Sequence, residues 1–198
     1  MAITNGYCTL TQLKASADIT DGFDDTILEL AIEAASREID QMCERNFYNM
    51  GEATRDFVAQ DSYFTPIDDL ISLSTLKTDP NGDSGFSVTW DAADYNLLPL
   101  NGFLGGIQWS SNGIRARDTY LFPMENEEPL VRVTGVWGWT SVPTPVVQAT
   151  IILASRLYKR NDSPLGVAGF GDIGVIRVGS YDPDVEKLIH PFKKTRFA

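Results

Sequence analysis

The apolar residues of this chain change period twice, and that switch limits the fold more than any other feature. Up to about Asn46, and again from Pro143, they recur at three- and four-residue spacing, as one face of an α-helix requires. Between Ala53 and Trp139 they alternate, as a half-buried strand requires. The expected fold is α+β: a helical bundle formed by N- and C-terminal helices, with a β-rich insertion between them. Residues 1–52 and 140–198 are assigned to the helical core with its C-terminal arm, and 53–139 to the insertion. A chain of 198 residues can bury one good core or two small ones.

The helix ends are written in the sequence. Thr9-Leu10-Thr11-Gln12 fits a capping box and predicts a short helix to about Ala17, with an acidic turn from Asp18 to Asp24. Thr26-Ile27-Leu28-Glu29 fits a second box. From it Leu28, Ile32, Ala35, Ile39 and Met42 predict an amphipathic helix closing near Asn46. Val142-Pro143-Thr144-Pro145 predicts a helix start at proline, and Arg156, Lys159 and Arg160 suit its C-terminus. Its expected apolar stripe is Val147, Ile151, Ala154 and Tyr158, widened by Leu153 and Leu157. A glycine-rich arm from Gly166 to Gly179 leads to a last short helix, Asp184 to His190, broken by Pro191.

In the middle, Phe86, Val88 and Trp90 alternate, as do Val131 and Val133. Asp79-Pro80-Asn81-Gly82-Asp83 and Asn101-Gly102 are turn sequences of the hairpin type. Asp94 to Leu98, Gly106 to Trp109 and Thr119 to Phe122 supply further short strands.

Charge and motifs exclude most chemistry. A net charge of -11 argues against a surface that grips nucleic acid, although an acidic wall that DNA slides past is compatible with it. Met1 to Leu10 lacks the basic flank and apolar run of a signal peptide, no segment is long enough to span a bilayer, and no membrane partner is expected. Cys8 and Cys43 read as free thiols, with a single disulfide as the alternative. Gly169-Phe170-Gly171-Asp172-Ile173-Gly174 matches a dinucleotide fingerprint but follows a helix, not a strand. Asp79, Asn81 and Asp83 begin a calcium-loop pattern that fails at Ser84 and Trp90. Asp68-Asp69, Asp91 with Asp94, and Glu127-Glu128 are carboxylate pairs of the kind composition alone produces. His190 is the one histidine, without a partner signature for a triad. No catalytic residue, cofactor or metal is expected, and the chain is read as a non-enzyme. Trp90, Trp109, Trp137 and Trp139 read as core or interface, with a sugar or base platform as the alternative.

The order Thr9-Leu10-Thr11-Gln12-Leu13-Lys14, an acidic turn, a helix closing Glu44-Arg45-Asn46-Phe47, a β-rich insertion ending Val131-Arg132-Val133-Thr134-Gly135-Val136-Trp137-Gly138, and a helix from Val142-Pro143 to Leu157-Tyr158-Lys159-Arg160 resembles the head-tail connector (adaptor) family of long-tailed phages. Asn161 to Gly166 and Asp182-Pro183-Asp184-Val185 continue the likeness. The resemblance implies a structural protein of the virion neck, assembled in the host cytoplasm. It would form a ring, usually twelvefold, between the portal and a tail-side stopper or tail-completion protein, through which DNA passes without specific binding.

Three groups of residues would then carry function. Phe192, Lys193, Lys194, Arg196 and Phe197 combine cations with aromatic anchors and are expected to dock on the portal; a solvated terminus is the alternative. Phe170, Ile173, Val175, Ile176, Arg177 and Val178 form an arm expected to reach a neighbouring subunit, with Val175 to Val178 adding a strand to its sheet edge. Asp21, Asp24, Asp25, Glu29 and Glu33 are expected on an exposed face that could line the channel; the alternative is an ordinary solvated helix face. Other readings of the whole chain are a different neck or tail-completion protein, a β-type carbohydrate- or partner-binding module and, last, an acidic hydrolase.

Overall fold

The computed structural model describes residues 3–125, 127–161 and 182–194. The chain divides into two units, one from Met1–Asn46 with Val142–Ala198 and one from Phe47–Ser141. The boundaries fall a few residues from the expected ones, because the first strand already begins at Asn49.

The helical unit contains α1 (Leu10–Ser16), α2 (Asp25–Cys43), α3 (Thr144–Asn161) and α4 (Pro183–Ile189), followed by a 3-10 turn, His190–Phe192. The Thr9 capping box forms: Thr9 Oγ1 accepts from Gln12 N at 3.1 Å, and Gln12 Oε1 accepts from Thr9 N at 2.8 Å. The second box does not. Helix α2 begins ahead of Thr26, with Asp24 at the N-cap making no side-chain cap bond. The Asp24 carboxylate is taken instead by the Tyr158 hydroxyl at 2.6 Å. The helix ends at Cys43 rather than near Asn46, because Glu44 turns left-handed at φ 53°.

Helix α2 buries Leu28, Ile32, Ala35 and Ile39 as its period requires, together with Ala31, Ser36 and Cys43. On α3 the buried face is Val146, Ala149, Thr150, Leu153 and Ala154, whereas Val147, Ile151 and Tyr158 of the expected stripe are only half-buried. The stripe is thus turned by about one residue. Small side chains explain it: Ala31, Ala35 and Ser36 on α2, and Ala149, Thr150 and Ala154 on α3, are buried on two helices that pack together. Thr150 can be buried because its hydroxyl donates to Val146 O at 2.8 Å, and Ser36 donates likewise to Ile32 O at 2.7 Å. Helix α4 packs on α3, starting from Asp182, whose carboxylate accepts from Asp184 N at 2.9 Å.

The second unit is an antiparallel sheet built from β1 (Asn49–Phe57), β2 (Phe64–Thr78), β3 (Val88–Trp90), β4 (Tyr95–Leu98), β7 (Ser111–Ala116) and β8 (Val131–Gly138), in the order β1-β8-β2-β7-β4, with β3 paired to β2. A separate hairpin joins β5 (Phe103–Leu104) to β6 (Ile107–Gln108). Strand β8 alternates buried Val131, Val133 and Gly135 with half-exposed partners. With Leu70, Leu76, Ile114 and Trp137 its two valines form the core. Gly138 is required at its end: at φ 97°, a Cβ there would lie 2.0 Å from the Tyr48 carbonyl oxygen.

Three strand expectations are corrected. Phe86 is not in a strand; its backbone turns at φ 46°, and its ring is buried beneath the Arg132 guanidinium at 3.7 Å. Thr119 to Phe122 forms no strand, and Phe122 instead stacks on Trp90 at 4.7 Å. The hairpin turn is Gly105-Gly106, not Asn101-Gly102: both glycines have positive φ (63° and 78°), as a two-residue turn of type I′ demands.

Candidate interaction surfaces

The acidic turn and the start of α2 form a fastener within the helical unit. Lys14 reaches Asp25 Oδ1 at 2.6 Å and also donates to the Asp21 carbonyl, while the Asp21 carboxylate accepts from Phe23 N at 3.1 Å. Glu33 accepts from Thr4 N, and Asp24 holds Tyr158. Four of the five carboxylates expected on a channel face therefore hold bonds inside the subunit; Glu29, half-buried, is also engaged. Phe23 is almost fully exposed in the same turn. Further along α2, Asp40 accepts from the Tyr7 hydroxyl and pairs with Arg37 at 3.0 Å. Burial raises the Asp40 pKa, against the lowering effect of Tyr7 and Arg37.

At the C-terminal end, Phe192 is 1 % exposed. It closes the apolar side of α4 with Val185 and Ile189, so it is not available to fill a pocket on a partner, and that expectation is corrected. Lys193 pairs with Glu186 at 2.6 Å, and Lys194 N donates to Cys43 O at 3.1 Å. Burial pushes the Cys43 thiol up to about 12, against the pull of Lys193 and Arg45, and pushes Cys8 up to about 11. Both cysteines are free and buried. Arg196 and Phe197 lie outside the described residues, as do the whole proposed arm, Phe170, Ile173, Val175, Ile176, Arg177 and Val178, and the glycine fingerprint from Gly169 to Gly174.

The carboxylate pairs divide among unrelated partners. Asp68 pairs with Arg55 at 2.8 Å, whereas Asp69, next along β2 and buried, accepts from Trp139 Nε1 at 2.9 Å. Asp94 accepts from Asp91 N at 2.7 Å, as in a tight turn. Among the described residues, no three His, Cys, Asp or Glu side chains come together as a metal would need. The tryptophans do not form a platform either: Trp90, Trp137 and Trp139 are buried, and Trp109 packs on Trp139 at 5.4 Å.

What sequence reading missed is apolar. In the β unit, Leu100, Phe103 and Leu104 are 69 %, 66 % and 72 % exposed around the Gly105-Gly106 turn. Tyr63, Leu121 and Met124 are each more than half exposed, beside the contact in which Phe122 N donates to Ser62 O at 2.8 Å. One signal could have pointed to the hairpin: from Tyr95 to Ile114 the chain carries no charged residue, in a protein whose residues are 22 % charged.

The sequence matches no protein-family model and no curated relative. The fold, however, is similar to solved structures. A chain in the neck of a native gene transfer agent (GTA) particle, computed with C12 symmetry, superposes with a TM-score of 0.57 at 15 % identity, covering 100 % of this chain and 94 % of that one. A chain in the neck of the empty GTA particle, computed with C6 symmetry, gives 0.55 at 17 % identity, covering 100 % and 95 %. A chain of the virion of the native GTA particle gives the same TM-score, identity and coverage as the empty-particle chain. At these identities the likeness establishes a shared α+β fold spanning both units.

Proposed function

We propose that this chain is a structural protein of a phage-type virion neck, a head-tail connector whose copies form a ring around the DNA path. The observation that carries the reading is the match of fold over 100 % of the chain to chains of a particle neck computed with C12 symmetry. The sequence layout of the connector family supports the same assignment independently of the fold. In this reading the protein works by assembly rather than catalysis. Twelve copies close through repeated head-to-tail contacts, the portal binds on one side and a stopper or tail-completion protein on the other. The helical bundle frames each subunit. The acidic faces, including Asp21 and Glu29, keep DNA mobile in the channel, because like charge opposes adhesion over roughly a Debye length of ~8–10 Å.

The terminal cations Lys193, Lys194 and Arg196, with Phe197, are proposed to contact the portal, and the segment Phe170 to Val178 a neighbouring subunit. Electron microscopy of the purified protein, alone and mixed with the portal of its phage, tests the assignment. Coaxial rings on the portal are the expected result. A protein that stays monomeric in both samples would refute it. Replacing Asp21 and Glu29 with lysine tests the channel role separately: rings should still form, while DNA retention in particles should fall, and unaltered retention would remove these residues from the channel.

A further inference from the structure

The β unit carries two apolar surfaces of different shape at opposite ends of one strand. The first is a finger. Strand β4 ends at Leu98, paired with Gly113, and the chain then runs out through Leu100 to the β5–β6 hairpin before returning to β7 at Ser111. Phe103 pairs in register with Gln108, and Leu104 with Ile107, around the two-glycine turn. Side chains this apolar are rarely left in water as a group, and a segment without charge loses little when it is dried.

The second surface lies at the other end of β7. There Tyr95 pairs with Ala116, and Ala116 N donates to Tyr63 O at 2.8 Å. The 120–124 side of this corner, an irregular segment, is held by the bond from Phe122 N to Ser62 O and by a weak contact from Ser62 Oγ to Met124 Sδ at 3.8 Å. Tyr63, Leu121 and Met124 stand out around it. The five steps from Ser111 to Ala116, at ~3.4 Å each, put the two ends of β7 about 17 Å apart.

We infer that the finger of one copy, Leu100, Phe103 and Leu104, seats against Tyr63, Leu121 and Met124 of a second copy, joining β units head to tail. Two unlike patches at opposite ends of one unit cannot satisfy each other within it. Repeated between copies they make a heterologous contact, the kind that closes a ring when the rotation fits. The patch chemistry suits a receiver: Met is unbranched and adapts to the shape of an inserted ring, and Tyr offers a large face with a polar tip. The finger, uncharged from Tyr95 to Ile114, adds no like charge to a receiver flanked by Asp61 and Glu125, so a second copy of this acidic chain of net charge -11 can approach there without repulsion between the two contacting surfaces. The inference rests on the ring reading of the preceding section and specifies which surfaces would join the β units.

The test is site-directed crosslinking of the full chain. Leu104→Cys and Met124→Cys are made singly and together; both positions are exposed, and the native Cys8 and Cys43 are buried. Under mild oxidation the double variant should give a ladder of covalent oligomers, and a mixture of the two single variants should stop at dimers. Each single variant alone should stay monomeric on a denaturing gel. Dimers from Leu104→Cys alone would show finger meeting finger and overturn the inference. Rings seen by ultracentrifugation without any crosslink would overturn it while leaving the ring reading intact. A protein that never assembles would overturn both.

Discussion

Removing the Phe192 ring should cost the helical unit a large part of its stability, and the expected size follows from its surroundings. Phe192 is 1 % exposed and completes a buried row with Val185 and Ile189. Phe→Ala at such a site costs ~3–5 kcal/mol in lost transfer free energy and residual cavity. For a chain of this length, each kcal/mol shifts Tm by about 2–4 °C, so Phe192→Ala should lower it by roughly 6–20 °C. The residues after it are worth much less. Ending the chain at Phe192 removes the Lys193–Glu186 pair, both partners about a third exposed, which is worth ~0.2–1 kcal/mol. It also removes the bond from Lys194 N to Cys43 O, worth ~1 kcal/mol. Thermal melts followed by circular dichroism at 222 nm, which reads the helices, should therefore show a small shift for the truncation and a large one for Phe192→Ala. A Phe192→Ala melt within about 1 °C of the parent would refute the burial argument. It would also return Phe192 to the set of residues free to bind a partner.

Gly138→Ala should be among the most damaging single changes in the sheet, by more than ~3 kcal/mol, since φ 97° and a carbonyl oxygen 2.0 Å from the new Cβ both oppose it; Gly51→Ala, at φ 81° but with nothing within 4 Å, is the milder control, and urea midpoints compare the two. Lys14→Ala should lower stability by ~0.5–1.5 kcal/mol, because one ammonium holds both Asp25 and the Asp21 carbonyl, and the loss should shrink when the parent is measured in high salt. Cys43 and Cys8 should resist a thiol reagent at pH 8 until the chain unfolds. Burial holds both thiols, at about 12 and about 11, above the ordinary thiol value of 9.0, so the folded state keeps its thiol protons where the unfolded state loses them. That contribution is complete below pH ~9 and declines as pH rises towards 12, so urea midpoints should fall across that window, and fall less in a Cys43→Ser, Cys8→Ser protein compared with its own value at pH 8.

The elements that could be read from the sequence are those in which local chemistry and tertiary packing agree. The Thr9 box, the α2 period and the Val131 and Val133 alternation each put the same residues where isolated physics would. Reading failed where a distant residue decided. Asp24 rather than Thr26 caps α2 while its side chain serves Tyr158, more than a hundred residues away. The α3 stripe turned because small residues buy close approach between helices, which a hydrophobicity scale undervalues. Strand β2 escaped notice as one long element because Pro66 and the Asp68-Asp69 pair interrupt its pattern. Pro66 is tolerated where the pairing with β7 slips between Pro66 and Leu70, and Asp69 is satisfied by Trp139.

Charged residues draw attention in a sequence, and Asp24, Asp25 and Glu33 are natural candidates for a face that DNA passes. The fold engages each of them within its own subunit, at Tyr158, Lys14 and the Thr4 amide. Surface left for partners is then better sought among side chains for which the subunit offers no use, and these are apolar: Leu100, Phe103, Leu104, Tyr63, Leu121 and Met124. An exposed carboxylate costs a monomer nothing, so its presence carries little information about assembly. Six large apolar side chains held out from a well-packed sheet do carry such information, because burying them against another copy removes apolar surface from water.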